Sequence, residues 1–128
     1  MSCLFISLGK LLQQPHTTVR NTLCNYMQHH LDEPFQGMPI REWIRWQQQA
    51  PSPEAYIRAM RSTSEWGGAM ELSMATQCYA TDIRVVDTLG RTVAEFVWRE
   101  HCTARRKMVL WWTGNHYEPV RWEVLGGR

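Results

Sequence analysis

The hydrophobic period of this chain changes once, at Asp82, and that change limits the folds open to it. Up to Tyr79 apolar residues recur at helical spacing; from Ile83 they follow strand patterns. Ile83–Val86 and Thr92–Trp98 read as strands joined by the turn Asp87-Thr88-Leu89-Gly90. Met108–Trp112 and His116–Val124 read as two more, joined by a tight Thr113-Gly114 turn. Helices first, then about four largely hairpin-linked strands, predict an α+β fold in which helices pack on a small, mostly antiparallel sheet. No internal repeat appears, and 128 residues make a single domain, 1–128, with room for a real core.

The helical half divides at its prolines and caps. Leu4, Phe5, Leu8, Leu11 and Leu12 form an apolar helix that Pro15 ends. A second helix runs from about Thr17 to Leu31, with Thr17 or Thr18 as its cap. Asp32 to Pro39 is loop, and a short helix then turns Ile40, Trp43 and Ile44 inward while Trp46 falls off the stripe. Ser52-Pro53-Glu54 combines a cap, a first-position proline and a first-turn acid; it starts a helix with Tyr56, Ile57 and Met60 inward. Glu65 to Leu72 opens the next helix, placing Gly67 and Gly68 in its first turn. Two apolar stripes, Trp66/Met70/Met74/Cys78 and Leu72/Ala75/Tyr79, predict that this helix is covered on most sides.

Composition excludes several classes. A net charge of +2 is too small for a nucleic-acid footprint, and Arg105-Arg106-Lys107 is short and lacks interleaved aromatics. No stretch is long enough to span a membrane, and no secretory leader is visible, so a cytoplasmic monomer is expected. Cys3, Cys24, Cys78 and Cys102 include no C-x-x-C pair; reduced thiols and no metal or cofactor are the simplest expectation. Arg99 to Lys107, with His101 and Cys102, reads as a solvated loop. Seven tryptophans are many, and some are expected to line a surface groove.

Three places carry candidate chemistry. Cys3 opens a helix, where unpaired N–H groups and the dipole stabilise a thiolate; a buried, inert thiol is the other reading. His116 and Glu118 stand two apart on a strand and so share a face, where a carboxylate can orient an imidazole. Asn115 could orient it from the turn, and a half-exposed edge histidine is the plain alternative. The Gly67-Gly68 pair is tolerable where backbone must approach something closely, a substrate or a neighbouring strand. A thiol nucleophile needs a base within reach and the base needs an orienter, and the parts can meet from distant positions.

On these residues the chain resembles the ovarian-tumour (OTU) family of cysteine deubiquitinases. Ser2-Cys3-Leu4-Phe5 with Ser7 resembles its nucleophile block. Trp66-Gly67-Gly68-Ala69-Met70-Glu71, through Tyr79 to Ile83-Arg84-Val85-Val86-Asp87, resembles its central helix and strand. Gly114-Asn115-His116-Tyr117-Glu118-Pro119-Val120 resembles its histidine block. The resemblance implies a papain-type cysteine protease domain that hydrolyses (iso)peptide bonds after the C-terminal Gly-Gly of ubiquitin or a ubiquitin-like modifier. Cys3 would be nucleophile, His116 base and Glu118 orienter, with Asn115 as second choice. Gly67, Gly68, Trp66 and Tyr117 would wall a channel that admits glycines and rejects side chains.

Two departures from the family pattern bear on rate. The resemblance implies an aspartate three positions before the nucleophile, in a loop that helps bind the oxyanion, and Met1 stands only two before Cys3. A lost oxyanion donor costs about two to three orders of magnitude. Glu118 stands where aspartate is more usual, moving the carboxylate by roughly 1.5 Å. Two other readings therefore stand beside the active enzyme. One is a catalytically impaired ubiquitin-binding domain. The other is a viral or bacterial polyprotein-processing protease, to which the Leu125-Gly126-Gly127 tail points weakly.

Overall fold

The computed structural model describes residues 3–35, 37–47, 52–62, 68–98, 106–114 and 116–124. Trp66, Gly67, His101, Cys102, Asn115 and the Leu-Gly-Gly tail lie outside the described residues, as do the side chains of Cys3, Phe35, Gln47, Arg106 and Val124.

Among the described residues five helices precede a four-stranded sheet: α1 Cys3–Leu12, α2 His16–His29, α3 Ile40–Gln47, α4 Pro53–Met60 and α5 Ala69–Tyr79. The first helix stops where Gln13 turns left-handed (φ 58°) and the Gln14 N–H donates to the Gly9 carbonyl at 2.9 Å. A Cβ on Gly9 would lie 2.5 Å from the Gln14 oxygen, so the reversal requires glycine there. Pro15 does not merely end α1. It is the N-terminal cap residue of α2, with φ −59° and ψ 144° and no side-chain bond. The expected cap at Thr17 or Thr18 is therefore wrong; proline's fixed φ lets the helix begin at His16, and both threonines fall inside it.

The expected loop before α3 holds a small ladder, β1 Pro34–Phe35 against β2 Met38–Pro39, turned by Gly37 at φ 83°. Ser52 caps α4 as its sequence demands: its Oγ accepts from the Ala55 N–H at 3.0 Å. The fifth helix starts later than the sequence suggests. Gly68 is its N-cap, in extended backbone at φ −150°, so no glycine weakens its first turn. Met70 to Thr76 are buried without a break, as expected for a helix covered on most sides.

The main sheet has the order β4-β3-β5-β6, with β3 Asp82–Val86, β4 Thr92–Phe96, β5 Arg106–Trp112 and β6 Tyr117–Val124. The outer pairings are antiparallel hairpins, while β3 and β5 run parallel, so the connection from β4 skips past β3. Ile83, Val85, Met108 and Leu110 project from one face into a single core with residues of all five helices, among them Leu4, Leu8, Leu23, Ile44, Ile57 and Leu72. The opposite face buries Val109 between Arg84 and Arg121 on the neighbouring strands. Arg84 and Arg121 both bind Glu123, at 2.8 and 2.7 Å, and Lys107 binds Glu95 at 2.7 Å.

Candidate active site

Strand β6 carries the first part of the site. The Thr113 N–H donates to the His116 carbonyl at 3.1 Å, closing the turn between β5 and β6, and Gly114 takes φ 104°. His116, expected as the first strand residue, immediately precedes β6, which starts one residue later at Tyr117. The expected common side for His116 and Glu118 holds: Nε2 lies 3.5 Å from a Glu118 carboxylate oxygen, an ion-pair contact longer than a good hydrogen bond. Both side chains are nearly half exposed, so the imidazole is open to a reactant. Its other nitrogen, Nδ1, lies 3.2 Å from the Thr113 hydroxyl. Thr113 was legible only as a turn residue; its hydroxyl three positions before a histidine was the signal available. Tyr117 points to the opposite face from Glu118, its ring tilted 45° against Trp112 at a centroid separation of 4.8 Å.

Helix α1 lies along β6. Ser7 Oγ donates to the Tyr117 carbonyl at 3.0 Å and Trp122 Nε1 donates to the Leu11 carbonyl at 2.8 Å. Moving back along the helix from Leu11 to Ser7 matches moving back along the strand from Trp122 to Tyr117. One further turn, about 6 Å, leads to Cys3, so α1 begins at the end of the sheet where His116 stands.

The N-cap of α5 comes to the same end. Ala80, left-handed at φ 52°, and Thr81 separate α5 from β3, and α5 packs on β3 and β4. The chain thus reverses, α5 runs back along β3, and Gly68 sits toward the end where β3 finishes beside the last residues of β5. Glu71 anchors this N-terminus. It is 2% exposed; its Oε1 accepts from the Gly68 N–H at 2.8 Å and its Oε2 accepts from the Tyr56 hydroxyl of α4. Burial pushes the Glu71 carboxyl up, while the bonds from Tyr56 and Gly68 and the charge of Arg20 pull it back. Arg20, 1% exposed, donates to the Met60 carbonyl at 2.6 Å and stacks over the Phe5 ring at 4.2 Å. Sequence reasoning missed both buried charges. Arg20 stood in the α2 apolar stripe at helical spacing from Leu23, Cys24 and Met27, and Glu71 stood three positions after Gly68, the spacing of half a capping box.

Helices on one face of a small mixed sheet, one of them laid along the last strand, define the class: an α+β domain. The family model of the OTU-like cysteine proteases matches residues 2–117, and the chain belongs to that family. Among curated proteins it is 35% identical over 74 residues to ubiquitin thioesterase OTU1 of Danio rerio, covering 58% of this chain and 24% of that protein. It is 34% identical over 70 residues to the same-named protein of Xenopus laevis, covering 55% and 22%. The matched segment thus spans about a quarter of these relatives. Among solved structures, the OTU domain of OTUD1 superposes with a TM-score of 0.69 at 19% identity, over 92% of this chain and 77% of that one. The Hazara virus OTU bound to ubiquitin gives 0.65 at 19% identity, over 96% and 76%. Identities this low establish the α+β fold.

Proposed function

We propose that this chain is a thiol hydrolase that cleaves the peptide or isopeptide bond after the C-terminal glycine of ubiquitin or a ubiquitin-like modifier. The observation that carries it is the clamping of α1 along β6. The Ser7–Tyr117 and Trp122–Leu11 bonds aim the start of the helix at the end of the strand where His116 meets Glu118. The ubiquitin bound to the Hazara virus OTU, and the ubiquitin thioesterases among the curated relatives, support the substrate class.

His116 Nδ1, the ring nitrogen turned away from Glu118, takes the Cys3 proton. The thiolate attacks the carbonyl carbon of the terminal glycine, and the carbonyl oxygen becomes an oxyanion. Collapse breaks the carbon–nitrogen bond, and the imidazolium returns the proton to the departing amine. Water, deprotonated by the same imidazole, releases the glycine carboxylate from the thioester and restores the thiol. Glu118 stabilises the imidazolium and holds the ring. Gly68 lines the approach of the tail.

A ubiquitin carrying a C-terminal electrophile tests this directly. The wild type is expected to label at one cysteine, with labelling abolished in Cys3→Ala and slowed by about two to four orders of magnitude in His116→Ala. Tight but purely reversible binding would instead establish a non-catalytic ubiquitin-binding domain.

A further inference from the structure

Gly68 is a glycine that nothing among the described residues requires. Its backbone is extended at φ −150°, a conformation any residue adopts, and among the described residues a Cβ built there would meet only Glu71 Oε1, at 4.0 Å. Neither a positive φ nor a contact among the described residues calls for glycine there, and the position offers a substrate bare backbone. At the same time its N–H is held from below with unusual care. Glu71 gives one carboxylate oxygen to the Gly68 N–H and the other to the Tyr56 hydroxyl. Arg20 places its charge near that carboxylate while stacking on Phe5, two residues after Cys3. A buried carboxylate and guanidinium are a poor way to hold helices together, because apolar side chains of similar size do it with less desolvation. They do fix direction: a carboxylate with two donors sets where one particular N–H points.

We propose that Tyr56, Glu71 and Arg20 are positioning residues that hold the Gly68 backbone, in register with the helix that begins at Cys3, as the platform over which the extended glycine tail of the substrate lies. This rests on the hydrolase reading above and deepens it by assigning the selection of glycine over bulkier residues to a buried network. The tail passes over a surface with no side chain, and the network prevents that surface from yielding to a larger residue.

The test uses three variants of the full chain and two substrates. One substrate is ubiquitin joined through its native Gly-Gly terminus to a fluorescent amine; in the other a tail glycine is replaced by alanine. Tyr56→Phe, which removes one donor at almost constant volume, is expected to speed amide hydrogen exchange at Gly68 about tenfold. It should also raise KM for the native tail several-fold with kcat little changed, and narrow the preference for glycine over alanine. Alkylation of Cys3 by a small reagent should stay at the wild-type rate. Glu71→Gln, which keeps one acceptor oxygen, should act in the same direction and further; if it does not fold, Tyr56→Phe carries the test. Gly68→Ala should fold normally and lose most cleavage of the native tail. A folded Tyr56→Phe that keeps wild-type discrimination, whatever its Gly68 exchange, overturns the proposal, as does a Gly68→Ala that cleaves normally. A wild type that cleaves neither substrate is a different result: it overturns the hydrolase reading itself and this proposal with it.

Discussion

Glu118 and Cys24 show how much a single side chain's surroundings decide. Glu118 reaches His116 at 3.5 Å across a half-exposed surface, so the pair is worth at most about 1 kcal/mol. Replacing Glu118 by alanine is therefore expected to lower kcat/KM about fivefold. A loss of a hundredfold or more would show that the carboxylate is held more firmly during reaction than this contact implies. Cys24 is a contrasting case. It is fully buried in α2, and desolvation pushes its thiol up to about 11 from 9.0. Alkylation of the folded protein at neutral pH should accordingly spare Cys24, with peptide mapping as the readout. The sign for stability follows from the same shift. The folded state holds the proton more tightly than the unfolded chain, so Cys24 favours folding below pH 9 and ceases to as pH rises toward 11. Chemical denaturation across that alkaline range should show the decline, and Cys24→Ala should flatten it.

Between helix and strand, two bonds set the angle of α1 on β6. Ser7 is buried, and its hydroxyl is the clamp nearer the site; Trp122 is the clamp farther from it. Ser7→Ala is expected to cost about 1 kcal/mol and Trp122→Phe about the same for its hydrogen bond, plus any packing loss. Their effects on activity should separate. Loss of the Ser7 bond frees the start of α1 and should slow probe labelling at Cys3 beyond what the fall in folded fraction explains, whereas loss of the Trp122 bond should not. Equal losses relative to stability would mean that the clamp holds the fold and not the site. Here sequence reasoning reached the elements but not their junction. Helical spacing from Leu4 to Leu12 and alternation from Val120 to Val124 were plain, while nothing local announced that Ser7 and Tyr117 would touch.

Across the whole molecule, one core joins the five helices to one face of the sheet, and the helix that presents Cys3 is part of it. Leu8 has no exposed surface, so Leu8→Ala should cost about 2 to 5 kcal/mol and lower the urea midpoint accordingly. Because the core holds α1 against the sheet, activity in that variant should track the folded fraction. Activity lost well before the unfolding transition would mean that the helix detaches locally. Among the described residues the other face carries ion pairs, with Arg84, Arg121 and Glu123 flanking the buried Val109.

The change of hydrophobic period at Asp82 was enough to order helices before strands, and the Ser52-Pro53 cap and the stripes of α1 and α5 were readable because they depend on neighbours within a few residues. The Cys3, Gly68 and His116 blocks could likewise be picked out, since motif spacing is written along the chain. Local chemistry misled where two signals competed: Pro15 displaced Thr17 and Thr18 as the start of α2, and Gly68 capped α5 where a first-turn residue was expected. The parallel pairing of β3 with β5, the burial of Arg20 and Glu71, and the arrival of α1 and α5 at one end of the sheet belong to the fold alone. Each depends on which face meets which partner across many tens of residues, and such contacts are chosen by the packing of the whole core.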